Sequence, residues 1–169
     1  TDPEKAQEMV INLSQLMRYS LKHDQKEKVT LQQELENNKL YLQIEKVRFG
    51  SKLNPVFEID DKCLKANIPN MILQPLYENA IKYGVSRATR PVSISISADH
   101  QGDNLSLSVI DDGEAVDAAH VGGNGIGLAN VRDRLEARYK SAARLDTQSV
   151  KGGGFIAILT LPLSHRIAA

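Results

Sequence analysis

The chain carries QPLYENAIKYG at residues 74–84, and further along it carries DDG at residues 111–113 and GNGIGLAN at residues 123–130. The first segment is compatible with a helix that presents an acid, an amide and a cation, namely Glu78, Asn79 and Lys82. The second ends a strand-like run on a carboxylate, and the third is a glycine loop that opens into a helical pattern. None of these segments is specific alone, but together they predict a nucleotide site.

Length and composition indicate a globular chain without a general affinity for charged surfaces. Its 169 residues allow one ordinary domain, or a smaller domain with a helical appendage, and the 41% hydrophobic and 25% charged residues are near globular averages. The zero formal net charge gives no overall attraction to nucleic acid or an anionic membrane. Cys63 is the single cysteine, which excludes an internal disulfide and a cysteine-based metal cluster. With no signal peptide and no bilayer-length apolar run, we expect a soluble fragment cut from a longer protein.

Hydrophobic periodicity predicts two helices at the N-terminal end. The first begins near Pro3, with apolar residues at spacings of three and four: Ala6, Val10, Leu13, Met17 and Leu21. The second follows a capping-box pattern at Thr30 and Gln33 and ends near Arg48 or Phe49, with one apolar stripe: Leu31, Leu35, Leu42 and Phe49. Two such helices suit an antiparallel hairpin or half of a bundle that another chain completes, although two ordinary core helices would show the same pattern.

From Gly50 onward the pattern is that of an α+β fold. Alternating residues predict strands at 56–59, 92–98, 105–109, 143–147 and 155–161, with a turn at 100–104. Helices are predicted at 71–83, with Pro69 near the start and Pro75 forcing a break or kink, and again around 128–135. The result is a mixed sheet covered by helices on one face, a two-layer α/β sandwich.

The glycine loop supplies what a polyphosphate needs. Gly123, Gly125 and Gly127 precede a helix, where backbone N–H groups can approach phosphate oxygens closely. No GxxxxGK[ST] sequence is present, so the loop is not a P-loop, and no tight strand-to-helix turn of the Rossmann type fits. The alternative for Gly127 is a simple helix-entry glycine.

Other polar residues fit a base, a metal and a phosphate. Asp111 at a strand end can accept a hydrogen bond from an adenine amino group, and Gly113 leaves room for the base. The amide oxygen of Asn79 suits Mg²⁺, Glu78 can accept a proton or orient water, and Lys82 can meet a phosphate. The alternatives are a plain Asp-Gly turn and a solvated helix face. The four histidines show no metal-ligand spacing, and surface roles are expected for them.

These residues resemble a known superfamily. Asn79 within ENAxK resembles the N box of the gyrase, heat-shock ATPase, MutL and histidine-kinase superfamily. Asp111-x-Gly113 resembles its first glycine box, and the GxGxGL at residues 123–128 resembles its second. Longer phrases, RYSL at 18–21, YLQIEKxRF at 41–49 and IPxMxLQPL at 68–76, resemble LytS/YehU-type sensor histidine kinases. The resemblance covers nearly the whole chain.

The resemblance implies a division of the chain and a set of site residues. Residues 51–169 would form a Bergerat-type ATP-binding catalytic domain, and residues 1–50 the end of the dimerisation and phosphoacceptor region with a connecting helix. Asn79 would coordinate Mg²⁺, Asp111 and Gly113 would read adenine, and Glu78 would polarise the acceptor histidine. Residues 114–124 would form a short lid. Gly125 and Gly127 would line the triphosphate. The cofactor-binding residues would also include Lys82, Gly123, Ile126 and Leu128.

The implied function is that of the cytoplasmic catalytic part of a two-component sensor kinase. It would bind ATP and Mg²⁺ and transfer the γ-phosphoryl group to a histidine upstream of this fragment. The phosphoryl group would then pass to a response regulator, a DNA-binding protein, while the chain itself binds no nucleic acid. The full-length protein would be a homodimer attached to the inner or plasma membrane through its upstream segment.

Four departures from the family pattern leave two alternatives open. NPVF at residues 54–57 lacks the histidine of the family's NPHF-type motif and lies in a different place, so self-phosphorylation at the usual site is not expected. Ala115 replaces a glycine, Phe155 a threonine and Tyr83 a histidine. Ala115 and Phe155 favour a degenerate nucleotide-binding or scaffolding module with little kinase activity. The other alternative is an anti-sigma-type serine kinase on the same fold, although the two N-terminal helices argue against it.

Overall fold

The computed structural model describes residues 3–22, 27–114 and 126–163. The chain begins with helices α1 (Pro3–Lys22) and α2 (Leu31–Phe49), which contact each other. The predicted capping box starts α2: Thr30 Oγ1 accepts from Gln33 N at 3.2 Å, and Thr30 N donates to Gln33 Oε1 at 3.0 Å. Two N–H groups that have no partner inside the helix are thereby satisfied. Both predicted helices are confirmed.

The two helices bury their apolar stripes differently. On α2, Leu31, Leu35 and Leu42 lie in the main hydrophobic core, and Phe49 packs against it. On α1, the stripe residues Val10, Leu13 and Met17 are exposed, with 66%, 45% and 57% of their surface accessible. The α2 stripe therefore finds its partner within this chain, whereas this part of the α1 stripe is left uncovered by the described residues.

Within the described residues, seven strands form two sheets. A small antiparallel pair joins β1 (Lys28–Thr30) to β3 (Asn67–Pro69). The main sheet has the strand order β2-β4-β5-β7-β6, in which β2 and β4 are parallel and the other pairs are antiparallel. Its strands are β2 (Leu53–Ile59), β4 (Val92–Gln101), β5 (Asn104–Asp111), β6 (Arg144–Ser149) and β7 (Phe155–Pro162).

Alternation along the strands produces one covered face and one open face. The core side of β4 carries Val92, Ile94, Ile96 and Ala98, which are fully buried, while the serines between them are half-buried. Successive side chains of a strand point to opposite faces, so this pattern places the helices on a single side of the sheet. The predicted two-layer α/β sandwich is confirmed.

The segment before the first candidate site differs from its prediction. Helix α3 runs over Gln74–Asn79 and continues as one π-helical turn, Ala80–Val85. The prediction of a helix starting at residue 71 and kinked at Pro75 was wrong, and Pro69 ends β3 instead. Pro75 lies in the first turn of α3, where its missing N–H has no helical partner to lose. Helix α4 (Ile126–Tyr139) is present as predicted.

Several strand limits also differ from the prediction. Strands β4 and β5 extend to a two-residue connection, Gly102 and Asp103, instead of a five-residue turn, and Gly102 adopts the left-handed φ of 60° that this turn needs. The β1–β3 pair was not predicted because three-residue strands show too little alternation. No helix among the described residues is long and apolar enough to cross a membrane.

Candidate nucleotide site

Asp111 is a buried carboxylate at the end of β5. Only 4% of its surface is accessible, and its Oδ1 accepts a hydrogen bond from Gly113 N at 3.0 Å. Burial raises the pKa of this carboxyl from 3.8 to about 6; the Gly113 bond lowers it and the nearby Asp112 charge raises it. At neutral pH the group is therefore an ionised acceptor, able to take further N–H donors from a ligand.

Glycines from three different segments surround Asp111. A Cβ at Gly84, in the π-helical turn, would lie 2.5 Å from Asp111 Oδ1, and a Cβ at Gly113 would lie 2.6 Å from Gly84 Cα. A Cβ at Gly154 would collide with the backbone oxygen of Asp111. The absence of side chains at these glycines thus lets three segments of backbone pack directly against Asp111. Sequence reasoning did not assign these packing roles to Gly84 and Gly154, although Gly84 ends the ENAIKYG phrase.

The first glycine box is anchored by the loop that precedes β4. Asp112 Oδ1 accepts from Ser93 N at 2.7 Å, and Arg90 Nη2 donates to the Asp112 backbone oxygen at 2.5 Å. Glu114 Oε1 accepts from Thr89 N and Thr89 Oγ1 at 2.8 and 2.5 Å, and these bonds lower its pKa. The anchors fix the backbone on both sides of Gly113. Sequence reasoning missed them, because contacts between loops leave no periodic signal.

The three polar residues of the N box lie at the junction of α3 and the π-helical turn. Asn79 is half-buried, and Glu78 is exposed and accepts from Gln74 Nε2 at 2.9 Å. Lys82 is exposed, with its Nζ 5.0 Å from the Tyr83 ring centroid. Single π-helical turns are frequent at functional sites, and this one brings Gly84 against Asp111.

A cavity of about 230 Å³ separates α3 from α4. It places Glu78 opposite Gly127, and a Cβ on Gly127 would lie 3.5 Å from Pro75 Cβ. The structure thus brings Glu78 and the start of α4 together, whereas Asn79, Lys82 and Asp111 do not line this cavity. Its lining residues are Met71, Gln74, Pro75, Glu78, Gly127, Asn130, Val131 and Arg134.

The other residues predicted to bind the cofactor are placed differently. Leu128 is buried in the core with 3% of its surface accessible, and Ile126 is 81% exposed. Gly123 and Gly125 lie outside the described residues, as do Ala115 and the predicted lid after Glu114. Phe155 pairs with Asp111 across β5 and β7, which puts its buried ring on the core face beside that carboxylate.

Two family models match the chain. The "Histidine kinase" model matches residues 1–53, and the model "Histidine kinase-, DNA gyrase B-, and HSP90-like ATPase" matches residues 66–165. The second match contains Asn79, Asp111 and the whole glycine loop.

Curated relatives are named as sensor proteins. The chain is 34% identical to the sensor histidine kinase YpdA of Escherichia coli (strain K12) over 82% of this chain and 26% of the relative. It is 32% identical to the sensor protein LytS of Staphylococcus epidermidis over 94% of this chain and 29% of the relative. For the sensor histidine kinase YesM of Bacillus subtilis (strain 168) the identity is 34%, over 94% of this chain and 28% of the relative. The chain therefore spans less than a third of these relatives' length.

Solved structures share the fold at low identity. Histidine kinase AdeS of Acinetobacter baumannii superposes with a TM-score of 0.63 and 18% identity, covering 94% of this chain and 77% of that one. The catalytic domain of histidine kinase ThkA superposes with a TM-score of 0.61 and 16% identity, covering 81% of this chain and 96% of that domain.

Proposed function

The chain belongs to the family of histidine kinase-, DNA gyrase B- and HSP90-like ATPases, and on that premise we propose that it is the ATP-binding catalytic part of a two-component sensor histidine kinase. One observation carries the proposal: the buried Asp111 carboxylate lies against Gly84 and Gly113, at the end of the helical segment that bears Asn79. This arrangement provides an acceptor for a base and a ligand for a metal on neighbouring elements.

Asp111 recognises the base in this proposal. The ionised carboxylate of Asp111, which is flanked by glycines, accepts a hydrogen bond from the exocyclic amino group of adenine. Guanine presents a carbonyl oxygen at the equivalent position, and two facing acceptors repel each other. The site therefore selects ATP over GTP.

Asn79 supplies the protein ligand of Mg²⁺. The described residues contain no group of three or more His, Cys, Asp or Glu side chains that could hold a metal ion. Mg²⁺ usually keeps several waters and takes one or two protein ligands together with substrate phosphates, so one amide oxygen on α3 suits it. When bound, ATP and Mg²⁺ supply a transferable γ-phosphoryl group and the positive charge that neutralises it.

Glu78 faces the acceptor in this proposal. It is exposed on the wall of the α3–α4 cavity, opposite Gly127. A carboxylate there can accept the imidazole N–H of an incoming histidine and so orient the other nitrogen toward the phosphorus atom. The acceptor histidine lies outside these residues, and the phosphoryl group passes on to an aspartate of a DNA-binding response regulator. The full protein acts as a homodimer, attached to the membrane by a segment outside this chain.

A phosphotransfer assay tests this function. The chain is incubated with γ-labelled ATP, Mg²⁺ and a purified segment that carries the acceptor histidine, and the label is followed in acid and in base. We expect an acid-labile, base-stable label on the segment, abolished by Asn79→Ala and slowed by Glu78→Gln. The matched control is Glu58→Gln, an exposed carboxylate on β2.

Two results would redirect the proposal. An acid-stable label on a serine would indicate the anti-sigma-type activity. ATP binding without any transfer would favour a scaffolding module.

A further inference from the structure

Two charged side chains hold one peptide unit just before α3. The N–H of Met71 donates to Glu34 Oε2 at 2.9 Å, and the C=O of Asn70, in the same peptide unit, accepts from Arg134 Nη2 at 2.6 Å. The same residues make a second pair of bonds: Leu73 N donates to Glu34 Oε1 at 3.1 Å, and Arg134 Nη1 donates to Met71 O at 3.2 Å. Both oxygens of one carboxylate and both terminal nitrogens of one guanidinium therefore bind backbone.

This junction lies in the interior of the molecule. Glu34 is 1% exposed and Asn70 is fully buried. Burial raises the pKa of Glu34, while the bonds from Leu73, Met71 and Asn38 and the charge of Arg134 lower it. A buried carboxylate is costly unless its oxygens are satisfied, and here they are satisfied by the backbone that leads into α3. Glu34 thus holds that backbone in one arrangement.

Met71 adopts a backbone conformation that is unfavourable for residues with a side chain. Its φ of 55° is in the left-handed region, which glycine occupies readily and other residues seldom do. Such strain persists where the surroundings determine the backbone, and it is concentrated at functional sites. Glu34 and Arg134 bind the groups on both sides of this residue, so they keep the chain in the turn from β3 to α3.

The junction connects α2 to two elements of the proposed nucleotide site. Glu34 belongs to α2, and Arg134 belongs to α4, two turns beyond Gly127. The peptide unit between them lies shortly before α3, whose last residue is Asn79. Helix α3 is six residues long and buries Leu76 and Tyr77 in the core, so the position of its last residue depends on that packing and on the place where the helix starts.

We propose that Glu34 and Arg134 are positioning residues that set the place of Asn79 relative to Gly127, and thereby link α2 to metal-dependent nucleotide binding. The inference rests on the proposed function, in which Asn79 ligates Mg²⁺. Asp111 lies on β5, and only one of the three glycines around it, Gly84, follows Asn79 on the same helical segment. Base recognition therefore depends on the junction less than the metal-dependent part of the affinity does.

The test compares two affinities in each variant by calorimetry. The first is for ATP with Mg²⁺, and the second is for ADP in EDTA, which in this proposal binds through its base at Asp111 and not through the metal. We expect Glu34→Gln to weaken Mg²⁺–ATP binding at least tenfold and to change ADP binding less than twofold, because the amide places an N–H against a backbone donor. Glu36→Gln, the same change at an exposed site on α2, changes neither affinity.

If Glu34→Gln does not fold, Arg134→Lys is used instead. The lysine ammonium lacks the two terminal nitrogens with which Arg134 donates to the carbonyl oxygens of Asn70 and Met71. A folded variant in which both affinities fall equally, or in which neither falls, would overturn the positioning role. If the unmodified chain does not bind Mg²⁺–ATP, the proposed function fails instead. Hydrogen exchange then tests whether Glu34 holds this backbone. We expect Glu34→Gln to speed exchange selectively at the Met71 and Leu73 amides, and unchanged protection would contradict that role.

Discussion

At the scale of single residues, Asp111 shows a conflict between stability and binding. Its carboxyl has a raised pKa in the folded chain, so between pH 3.8 and about 6 the folded state binds the proton more tightly than the unfolded state does. Stability contributed by this group is therefore present at low pH and lost as the pH rises through that window. At neutral pH the buried negative charge of Asp111 therefore lowers the free energy of unfolding, but the same charge is available to a ligand.

Replacing Asp111 separates these two effects. We expect Asp111→Asn to raise the free energy of unfolding at pH 7.5 by about 1–3 kcal/mol, because the buried charge is removed. The same change weakens ATP binding at least about tenfold through loss of a charged acceptor. Urea denaturation and calorimetry measure the two effects. Asp146→Asn, at an exposed position, serves as the control, and a less stable Asp111→Asn chain would contradict the account.

The same carboxyl predicts a pH dependence of binding. Protonated Asp111 cannot accept the adenine amino hydrogen with a charge, so affinity falls as the pH drops below about 6. Adenosine is the suitable ligand because it has no phosphate to titrate. We expect its binding to weaken about tenfold between pH 7 and pH 5. Affinity that stays constant over this range would show that Asp111 does not contact the base.

Glycine packing gives a prediction about stability. Gly113→Ala forces a Cβ against Gly84 Cα and Asp111 Oδ1, and we expect it to lower the free energy of unfolding by about 1–3 kcal/mol. Gly127→Ala meets only an ordinary contact with Pro75, in the first turn of α4, and is expected to cost nothing. Thermal unfolding compares the two variants. Equal effects would mean that Gly84 and Gly113 pack less closely against Asp111 than the structure shows.

At the scale of elements, sequence patterns predict long helices and strands with a periodic apolar face. They do not predict where a helix starts when tertiary contacts decide it. The α2 stripe and the alternating β4, β5 and β7 could be predicted because each buries one face over many residues. The start of α3 could not, because proline both breaks helices and begins them, and the choice depends on tertiary contacts. Glu34 gave no signal for the same reason: its partners are backbone groups more than thirty positions away.

The capping box of α2 can be tested directly. We expect Thr30→Ala to lower the free energy of unfolding by about 1 kcal/mol, because Gln33 N loses its acceptor. Gln32→Ala, on the exposed side of the same turn, is expected to change it by less than about 0.5 kcal/mol. Chemical denaturation distinguishes the two. A Thr30→Ala chain as stable as the unmodified one would show that the tertiary contacts of Leu31 alone define this helix end.

At the scale of the whole molecule, the main feature is the difference in burial between the apolar stripes of α1 and α2. Helix α2 is part of the core that carries the proposed nucleotide site, whereas Val10, Leu13 and Met17 of α1 are exposed. The predicted boundary at residue 50 stays a prediction, because α2 contacts β2 and shares one hydrophobic core with the main sheet. An exposed apolar stripe on a helix favours a second copy of the chain as its partner, as the proposed homodimer requires.

Charged substitutions on the stripe test that association. We expect Leu13→Glu combined with Met17→Glu to shift the chain from dimer to monomer in sedimentation experiments, with unchanged affinity for ATP. Val150→Glu, at an exposed apolar residue away from α1, is the control. If the unmodified chain is a monomer at every concentration, the stripe is not sufficient for dimerisation.

The most direct test of the central claim is a calorimetric titration of the chain with ATP, with and without Mg²⁺. We expect binding in the micromolar to millimolar range that strengthens with Mg²⁺. Asn79→Ala removes the effect of Mg²⁺, and Asp111→Asn removes most of the binding. No heat of binding up to millimolar ATP for the unmodified, folded chain would contradict the claim that Asp111 and Asn79 form a nucleotide site.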